Sequence, residues 1–272
     1  MRILSDCHLH SSFSGDSETP MEQMIQRGVE VGLQHMCFTE HLDIDFPVST
    51  VYKEGTFLLD IENYQKVLRI YAEKYSERIN ILQGIEVGLQ THLKDEDFNS
   101  ICVENFDFII GSCHVCKGMD ICSVEYYEGK TEREALEDYF AETIKVAKQF
   151  GNYDVFGHLD YILRYSPYKD YTFSYEKYAD YYDTILRLLI EKGKGIELNT
   201  GGLMKGLKEP HPCIKALKRY KELGGEIITV GSDAHCCKNI AGYFNKAAEV
   251  LFQSGFRYYT VFKDHKPEFF EI

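Results

Sequence analysis

Histidine and carboxylate side chains recur in short motifs along this chain, and both types are ligands for zinc, manganese or iron. Two motifs read D-C-H-L-H at residues 6–10 and G-S-D-A-H at residues 231–235. Four others read T-E-H at 39–41, G-I-E-V-G at 84–88, G-S-C-H at 111–114 and F-G-H-L-D at 156–160. One such motif is weak evidence. Six of them predict a single metal cluster that is assembled from the whole length of the chain.

Short apolar runs precede most of these motifs, as expected for parallel strands covered on both faces. Such runs predict strands at 3–8, 35–39, 79–86, 106–112, 155–158, 195–198 and 226–231. Apolar residues three or four apart predict helices at 21–32, 60–75, 131–150, 175–192 and 212–223. A further strand is predicted at 256–262, and a long loop at 43–59.

Strand followed by helix, repeated about seven times, is the pattern of a β/α barrel. Active sites of such barrels lie at the carboxyl ends of the strands, and the motifs fall at those ends. The sequence therefore predicts an α/β barrel with its site at the C-terminal ends of the strands, and a single domain over residues 1–272. A doubly wound open sheet remains the alternative, although ligands from both ends of the chain converge less naturally in it.

Composition narrows the classes of function. Acidic residues outnumber basic ones by 43 to 30, and the formal charge of −13 argues against a broad nucleic-acid surface. The first six residues turn polar too early for a secretory signal, and no apolar run approaches the roughly 20 residues of a membrane span. Nine cysteines in 272 residues do not indicate a disulfide framework, so we expect a reduced, cytoplasmic protein.

Nine residues at or near the strand ends are candidate metal ligands. His8 and His10 alternate along a strand, so both side chains lie on one face, and Asp233 and His235 have the same spacing. Glu86 ends an apolar run, where an acid is costly to bury without a cation. The full set is His8, His10, Asp16, His41, Glu86, His114, His158, Asp233 and His235. Each residue alone is more often a core or capping residue, and their joint placement favours metal binding.

Other residues near the motifs have less specific predictions. Asp16 lies in an S-G-D-S turn that can bring its carboxylate over the site, and Glu40 is a candidate hydrogen-bond acceptor for a ligand imidazole. The cysteine pairs 113/116 and 236/237 are expected to be small packing residues rather than a zinc or redox site. Four histidines outside strand ends are expected to be surface or structural residues: His35, His92, His211 and His265.

The motifs, in this order and at these spacings, resemble the PHP (polymerase and histidinol phosphatase) metallo-phosphoesterase superfamily over nearly the whole chain. The S-F-S-G-D-S segment at 12–17, E-L-N-T at 197–200 and S-D-A-H at 232–235 resemble its histidinol-phosphate phosphatase branch. The resemblance implies a distorted seven-stranded TIM-like barrel with two or three divalent ions of zinc, manganese or iron.

The resemblance also implies how three ions would divide the ligands. One ion would bind His8, His10, Glu86 and Asp233. A second would share Glu86 and would bind His114 and His158. The third would bind Asp16, His41 and His235.

The implied reaction is hydrolysis of L-histidinol phosphate to L-histidinol and phosphate, in histidine biosynthesis. The ligand chemistry favours in-line attack on phosphorus by a hydroxide held between metal ions, and the sequence has no G-x-S-x-G nucleophile motif. Arg164 follows His158 by six residues, and its guanidinium suits phosphoryl oxygens. The predicted catalytic residues are Asp16, Arg164 and His235, and the predicted substrate contacts are Arg164, Glu197, Asn199 and Lys205.

Two alternatives remain open from the sequence. One is a related phosphoesterase that acts on another small phosphate ester, a nucleotide or a DNA end. The other is a metal-dependent binding protein without turnover. The expected partner is a small phosphorylated substrate, with neither a membrane nor a nucleic acid, and the sequence does not determine the oligomeric state.

Overall fold

Seven apolar segments of the sequence pair as parallel strands of one sheet. The computed structural model describes residues 1–98, 105–168 and 173–272. Their strands are β1 (Ser5–Leu9), β2 (His35–Leu42), β3 (Asn80–Gly88), β4 (Phe108–Ser112), β5 (Val115–Cys116), β6 (Met119–Asp120), β7 (Val155–Phe156), β8 (Gly195–Asn199), β9 (Ile228–Gly231), β10 (Tyr258–Lys263) and β11 (Lys266–Glu271). The parallel sheet has the order β1-β2-β3-β4-β7-β8-β9, which is also the chain order. The pairs β5–β6 and β10–β11 form separate antiparallel hairpins.

The first and last strands of this sheet meet and nearly close it. Leu9 pairs with Ala234 in a parallel bridge, and the His10 N–H donates to the Ala234 carbonyl at 3.0 Å. The Asp233 N–H donates to the His8 carbonyl at 2.9 Å. The carboxyl ends of β1 and β9 therefore share one rim. The predicted seven-stranded β/α barrel is confirmed, and the open doubly wound sheet is excluded.

Helices lie between the strands and bury apolar faces. They are α1 (Met21–Val31), α2 (Ile61–Tyr75), α3 (Asp95–Phe98), α4 (Glu132–Gln149), α5 (Ala179–Glu191), α6 (Gly201–Met204), α7 (Ile214–Glu222) and α8 (Phe244–Gln253). Helix α1 buries Met24 and Ile25 and ends at Gly32, whose φ of 80° is in the left-handed region that favours glycine. None of the helices in the described ranges is long and apolar enough to cross a membrane.

The predicted elements match the structure in kind and differ at their ends. Strand β2 continues to Leu42, so His41 lies within it, whereas β7 ends at Phe156 and leaves His158 in the following loop. The helix predicted from 175 begins at Ala179, after a single 3-10 turn. The strand predicted at 256–262 exists as β10, but it belongs to the C-terminal hairpin, and α8 is not among the predicted helices. The single domain predicted over 1–272 includes 99–104 and 169–172, which lie outside the described residues.

Candidate metal centre

The structure brings all nine candidate ligands to the carboxyl rim of the barrel. Strands β1, β2 and β3 carry His8, His41 and Glu86. The loops that follow β1, β4, β7 and β9 carry the other six: His10, Asp16, His114, His158, Asp233 and His235. These residues come from most of the chain length, and only the barrel topology places them side by side. Their role as metal ligands stays a prediction.

Glu86 lies at the centre of this cluster. Its side chain is fully buried, and its Oε1 accepts a hydrogen bond from Ser112 Oγ at 2.6 Å. Its two carboxylate oxygens lie within 3.6 Å of ring nitrogens of five histidines: His8, His10, His41, His114 and His158. One carboxylate that faces so many imidazoles has the position required of a ligand shared between ions.

The possible ligand atoms form four overlapping groups, each with its atoms within 4.8 Å of one another. The groups are His8–His10–Asp233, His8–Glu86–His158, His41–Glu86–His114 and His10–His41–His235. Asp16 adjoins the last group, since its Oδ2 lies 3.0 Å from His235 Nε2 and 3.6 Å from His41 Nε2. Because the groups share members, the geometry suits a multinuclear site. The division among three ions that the resemblance implies stays a prediction.

Several buried atoms of the cluster suit divalent cations. Within the described part of the chain, six cluster atoms form no hydrogen bond: His8 Nε2, His10 Nε2, His41 Nδ1, Glu86 Oε2, His158 Nδ1 and His235 Nε2. Leaving one such atom unsatisfied costs about 1–3 kcal/mol. Mixed imidazole and carboxylate donors are suitable for zinc, manganese or iron. The residues present therefore fit the metal ions that the resemblance implies.

Burial disfavours the charged form of every titratable group in this cluster, and neighbouring charges either outweigh or reinforce the resulting pKa shift. Burial lowers the pKa of His114, but the carboxylates of Asp43 and Glu86 outweigh it and raise that pKa to about 10. Burial raises the pKa of Glu86, but the surrounding imidazoles hold it well below its usual range. The pKa of His10 is lowered well below its usual value by burial and by the imidazoles of His41 and His235. Ionised carboxylates thus surround the atoms that face the centre of the cluster.

Hydrogen bonds from outside the cluster orient three of its imidazoles. The Nδ1–H of His8 donates to Glu197 Oε1 at 2.6 Å, and that of His114 donates to Asp43 Oδ1 at 2.7 Å. His10 Nδ1 lies 3.2 Å from Ser14 Oγ. In each ring the Nε2 atom is left to face the centre of the cluster, which is the arrangement that metal-binding histidines need.

Glu40 does not contact a ligand imidazole, so that prediction is wrong. Its carboxylate accepts hydrogen bonds from Ser11 Oγ at 2.5 Å and from Ser14 Oγ at 2.6 Å. Neighbouring residues on a strand point to opposite faces, so Glu40 faces away from His41 and the cluster. Ser14 lies between Glu40 and His10 and connects the two.

Arg164 is a buried cation at the edge of the cluster. Its Nη1 donates to Asp233 Oδ2 at 2.8 Å and its Nη2 donates to Asn199 Oδ1 at 3.1 Å. The guanidinium carbon lies 4.7 Å from the centre of the Tyr161 ring. Arg164 lines a cavity of about 370 Å³ together with the exposed Lys205 and most of the cluster. The walls of this cavity therefore include two cationic side chains.

The predicted substrate contacts Glu197 and Asn199 are not among the residues that line this cavity. Both are buried, and Asn199 Nδ2 donates to Glu197 Oε2 at 3.1 Å and to Asp233 Oδ2 at 3.4 Å. With Glu197 bound to His8 and Asn199 bound to Arg164, their polar atoms are occupied by other members of the site. Their geometry favours positioning of those members over contact with substrate.

Sequence reasoning missed several residues that the structure places beside the cluster. Asp43, Ser14 and Ser112 hydrogen-bond its members, and Asp120 lines an adjoining cavity. The only sequence signal for Asp43 is its position two residues after His41. The four histidines expected to be structural have other partners or exposed positions, and His211 is buried against Asp160 at 2.5 Å.

Comparison with known proteins extends the geometric argument. Residues 6–201 match the PHP domain family. The chain is 34% identical to a histidinol-phosphatase of Lactococcus lactis subsp. lactis, over 96% of this chain and 95% of that protein. It is 32% identical to a probable histidinol-phosphatase of Clostridium acetobutylicum, over 91% and 92% of the two chains.

A solved structure is similar over nearly the full length. It is the crystal structure of histidinol phosphate phosphatase from Lactococcus lactis subsp. lactis, complexed with zinc, L-histidinol and phosphate. The TM-score is 0.87 at 31% sequence identity, and the match covers 97% of this chain and 98% of the other. Family match, relatives and shared fold agree with the resemblance in the sequence, and this chain therefore belongs to the PHP domain family.

Proposed function

We propose that this protein is a metal-dependent phosphomonoesterase that hydrolyses L-histidinol phosphate to L-histidinol and inorganic phosphate. One observation carries the reaction class: a buried carboxylate, Glu86, faces five imidazoles beside a cavity that also contains the buried cation Arg164. The substrate is supported by the two histidinol-phosphatase relatives and by the similar structure that contains L-histidinol and phosphate.

The proposed site holds two or three divalent ions of zinc, manganese or iron. The proposed ligands are His8, His10, Asp16, His41, Glu86, His114, His158, Asp233 and His235. When bound, such ions activate water for attack on phosphorus and neutralise charge on the phosphoryl oxygens. The zinc in the similar Lactococcus structure supports this choice of cofactor.

The protein residues around this site bind and orient the phosphoryl group. Arg164 is fixed by its hydrogen bonds to Asp233 and Asn199, so its guanidinium is already oriented when substrate enters. A planar guanidinium fork suits phosphoryl oxygens and adds a positive charge that the metal ligands do not supply. Lys205, exposed at the rim of the same cavity, adds a weaker and more screened attraction.

Asp16 and His235 are the members of the cluster that are most open to solvent. Their side chains are 26% and 28% exposed, and Asp16 Oδ2 lies 3.0 Å from His235 Nε2. The remaining ligands are much less exposed, so the leaving alcohol departs past this pair. We propose that the pair contributes to catalysis at this edge of the site, where solvent protons are accessible.

The proposal extends to the partner and the compartment. The occupant of the cavity is a small phosphorylated substrate of histidine biosynthesis, in keeping with an acidic chain of net charge −13 that offers no broad surface for nucleic acid. A cytoplasmic location stays a prediction.

A substrate panel tests this function. The purified protein, with its metal content measured, is assayed with L-histidinol phosphate, several nucleotides and p-nitrophenyl phosphate. We expect kcat/KM for L-histidinol phosphate to exceed the others by about 100-fold, which is about 2.7 kcal/mol of selective transition-state binding. A preference for nucleotides would favour a different phosphoesterase, and no hydrolysis with metals loaded would favour a binding protein.

The reaction path has a separate test. A single turnover in ¹⁸O-labelled water should place the label in inorganic phosphate, because water attacks phosphorus directly. Isolation of a phosphorylated protein would refute direct attack while leaving the identity of the substrate intact.

A further inference from the structure

A small cavity beside the metal centre has polar and aromatic walls that the reaction at phosphorus does not use. Its volume is about 110 Å³, and it adjoins the larger cavity, with which it shares His41, His114 and Tyr161. The walls that matter here are Phe46, Tyr52, Phe57, Asp120, Tyr161 and Tyr165. A phosphate ester whose phosphoryl group lies at the metal centre can extend its alcohol part into this cavity.

Aromatic rings border the cavity on the side of the histidine cluster. Phe57 packs against Phe46 and Tyr52 with ring centres 4.6 and 4.8 Å apart, and it lies 5.4 Å from the His41 ring. Tyr161 stacks on His158 at 4.4 Å. Such rings offer flat faces to a planar or cationic group. The cavity therefore suits a small ring or a cation next to the phosphoryl site.

Three acidic residues line this cavity: Asp16, Asp43 and Asp120. Asp16 belongs to the histidine and carboxylate cluster and Asp43 binds its member His114, whereas Asp120 does neither. Asp120 pairs with Val115 across the β5–β6 hairpin, and the Ile121 N–H next to it donates to the His114 carbonyl at 3.3 Å. This hairpin thus fixes the position of Asp120 relative to the metal centre. The residue is 9% exposed, and its Oδ1 accepts a hydrogen bond from the Cys122 N–H at 2.8 Å.

Burial raises the pKa of Asp120, because the ionised form loses hydration there. The positive charge of His114 acts to lower the pKa of Asp120, but it is outweighed by burial. Over 1–98, 105–168 and 173–272, no Lys or Arg forms an ion pair with Asp120. A buried carboxylate is stabilised by a charged donor that comes close to it. A cationic ligand can supply that donor.

We propose that Asp120 is a specificity-determining residue, whose carboxylate accepts a hydrogen bond from a protonated nitrogen of the leaving alcohol while the aromatic walls contact its ring. This inference rests on the proposed function and deepens it. L-Histidinol carries an imidazole ring and a primary ammonium group, which are the two features that these walls suit. Esters that lack such a nitrogen gain nothing from Asp120.

Inhibition by the product alcohol tests this role without relying on turnover of the natural substrate. The metal-loaded enzyme hydrolyses p-nitrophenyl phosphate, and L-histidinol is added as a competitive inhibitor. We expect Asp120→Asn to raise the inhibition constant of L-histidinol by about 10- to 100-fold, the loss typical of a charge-assisted hydrogen bond. The kcat/KM for p-nitrophenyl phosphate should stay within about threefold of the wild-type value.

The matched control is Glu125→Gln, which removes the same charge from an exposed position five residues away. This control should change neither the inhibition constant of L-histidinol nor kcat/KM for p-nitrophenyl phosphate. An unchanged inhibition constant in Asp120→Asn overturns the proposal. An equal loss in affinity for L-histidinol and in kcat/KM for p-nitrophenyl phosphate also overturns it, because Asp120 would then act on the whole site. A wild-type enzyme that is inhibited by L-histidinol but does not hydrolyse its phosphate refutes the proposed function and leaves the test of Asp120 valid.

Discussion

Asp43 Oδ1 accepts a hydrogen bond from His114 Nδ1 at 2.7 Å, and the opposite nitrogen of that ring lies 3.2 Å from Glu86 Oε1. Gly88 makes this contact possible, because a Cβ at that position would lie 1.9 Å from Asp43 Oδ1. The carboxylate therefore determines which nitrogen of His114 faces the metal centre. Its contribution is to the geometry and basicity of a proposed ligand.

Asp43→Asn should weaken metal binding without removing a ligand. An amide is a weaker acceptor for the His114 N–H than a carboxylate, and loss of such a partner typically reduces metal affinity by about 10- to 100-fold. Competition with a chelator measures this affinity directly. The matched control is Asp45→Asn, two residues away, where the side chain is 66% exposed and pairs with His92. Equal affinities in the two variants would show that Asp43 does not support the site.

The metal-free protein should lose stability as pH rises from about 6.5 to 8.5. The pKa of His114 is about 10 in the fold, against an ordinary value of 6.5, so its protonation stabilises the fold fully below pH 6.5. That contribution decreases as pH rises toward 10. His10 and His158 have lowered pKa values, so they make stability depend on pH only below about 6.5 and not between 6.5 and 8.5.

Thermal unfolding of the chelator-treated protein across this range measures the effect. The decrease of melting temperature with pH should be smaller in Asp43→Asn, because this variant lacks one of the two carboxylates that raise the His114 pKa. It should vanish in the metal-loaded protein, where neutral imidazoles bind the ions. A melting temperature that rises with pH in the metal-free protein would contradict the charge pattern described for the cluster.

Replacement of Arg164 should weaken binding of the phosphoryl group more than binding of the alcohol. Arg164→Ala should raise KM for L-histidinol phosphate, but it also leaves Asp233 without its 2.8 Å partner. Arg164→Lys keeps the charge and loses the planar fork, so we expect the inhibition constant of inorganic phosphate to rise about tenfold. Inhibition by L-histidinol should not change.

Lys205→Ala should raise the inhibition constant of inorganic phosphate less than Arg164→Lys does, because the Lys205 side chain is exposed. A larger increase in Lys205→Ala would make Lys205 the main phosphate contact.

Glu86→Gln should remove at least one ion from each chain. Glu86 belongs to two of the proposed ligand groups, and an uncharged amide cannot replace a carboxylate that bridges two ions. We expect kcat to fall by about 1000-fold, which is about 4 kcal/mol of transition-state stabilisation. Elemental analysis of the purified variant counts the ions. Glu197→Gln is the comparison: it weakens the 2.6 Å contact to His8 and should lower affinity without changing the number of ions bound at saturation. Full occupancy and activity in Glu86→Gln would refute a bridging role.

The cluster could be predicted from sequence because apolar runs mark strand ends and a closed parallel barrel brings those ends together. The same logic fails for Asp43 and Asp120, which lie in a loop and a two-residue strand without a repeating pattern. Their positions depend on contacts between distant segments, such as the space that Gly88 leaves for Asp43. Short-range spacing carries no information on such contacts.

Helix α8 and strand β10 show what the predicted elements leave out. Helix α8 buries Phe244, Ala247, Val250 and Leu251 at helical spacing, so its apolar face is present in the sequence although α8 is not among the predicted helices. Strand β10 has the expected apolar residues, but its neighbour is β11, and strand composition does not specify a partner. The sequence thus indicated an extra strand without indicating that it lies outside the barrel sheet.

The seam at which β1 meets β9 has a consequence for how this protein is made. His8 and His10 leave the ribosome long before Asp233 and His235, which lie more than 220 residues later in the chain. The proposed ion-binding groups that span this seam are therefore incomplete until residue 235 has been synthesised. A cation bound there would join two segments that are made at very different times.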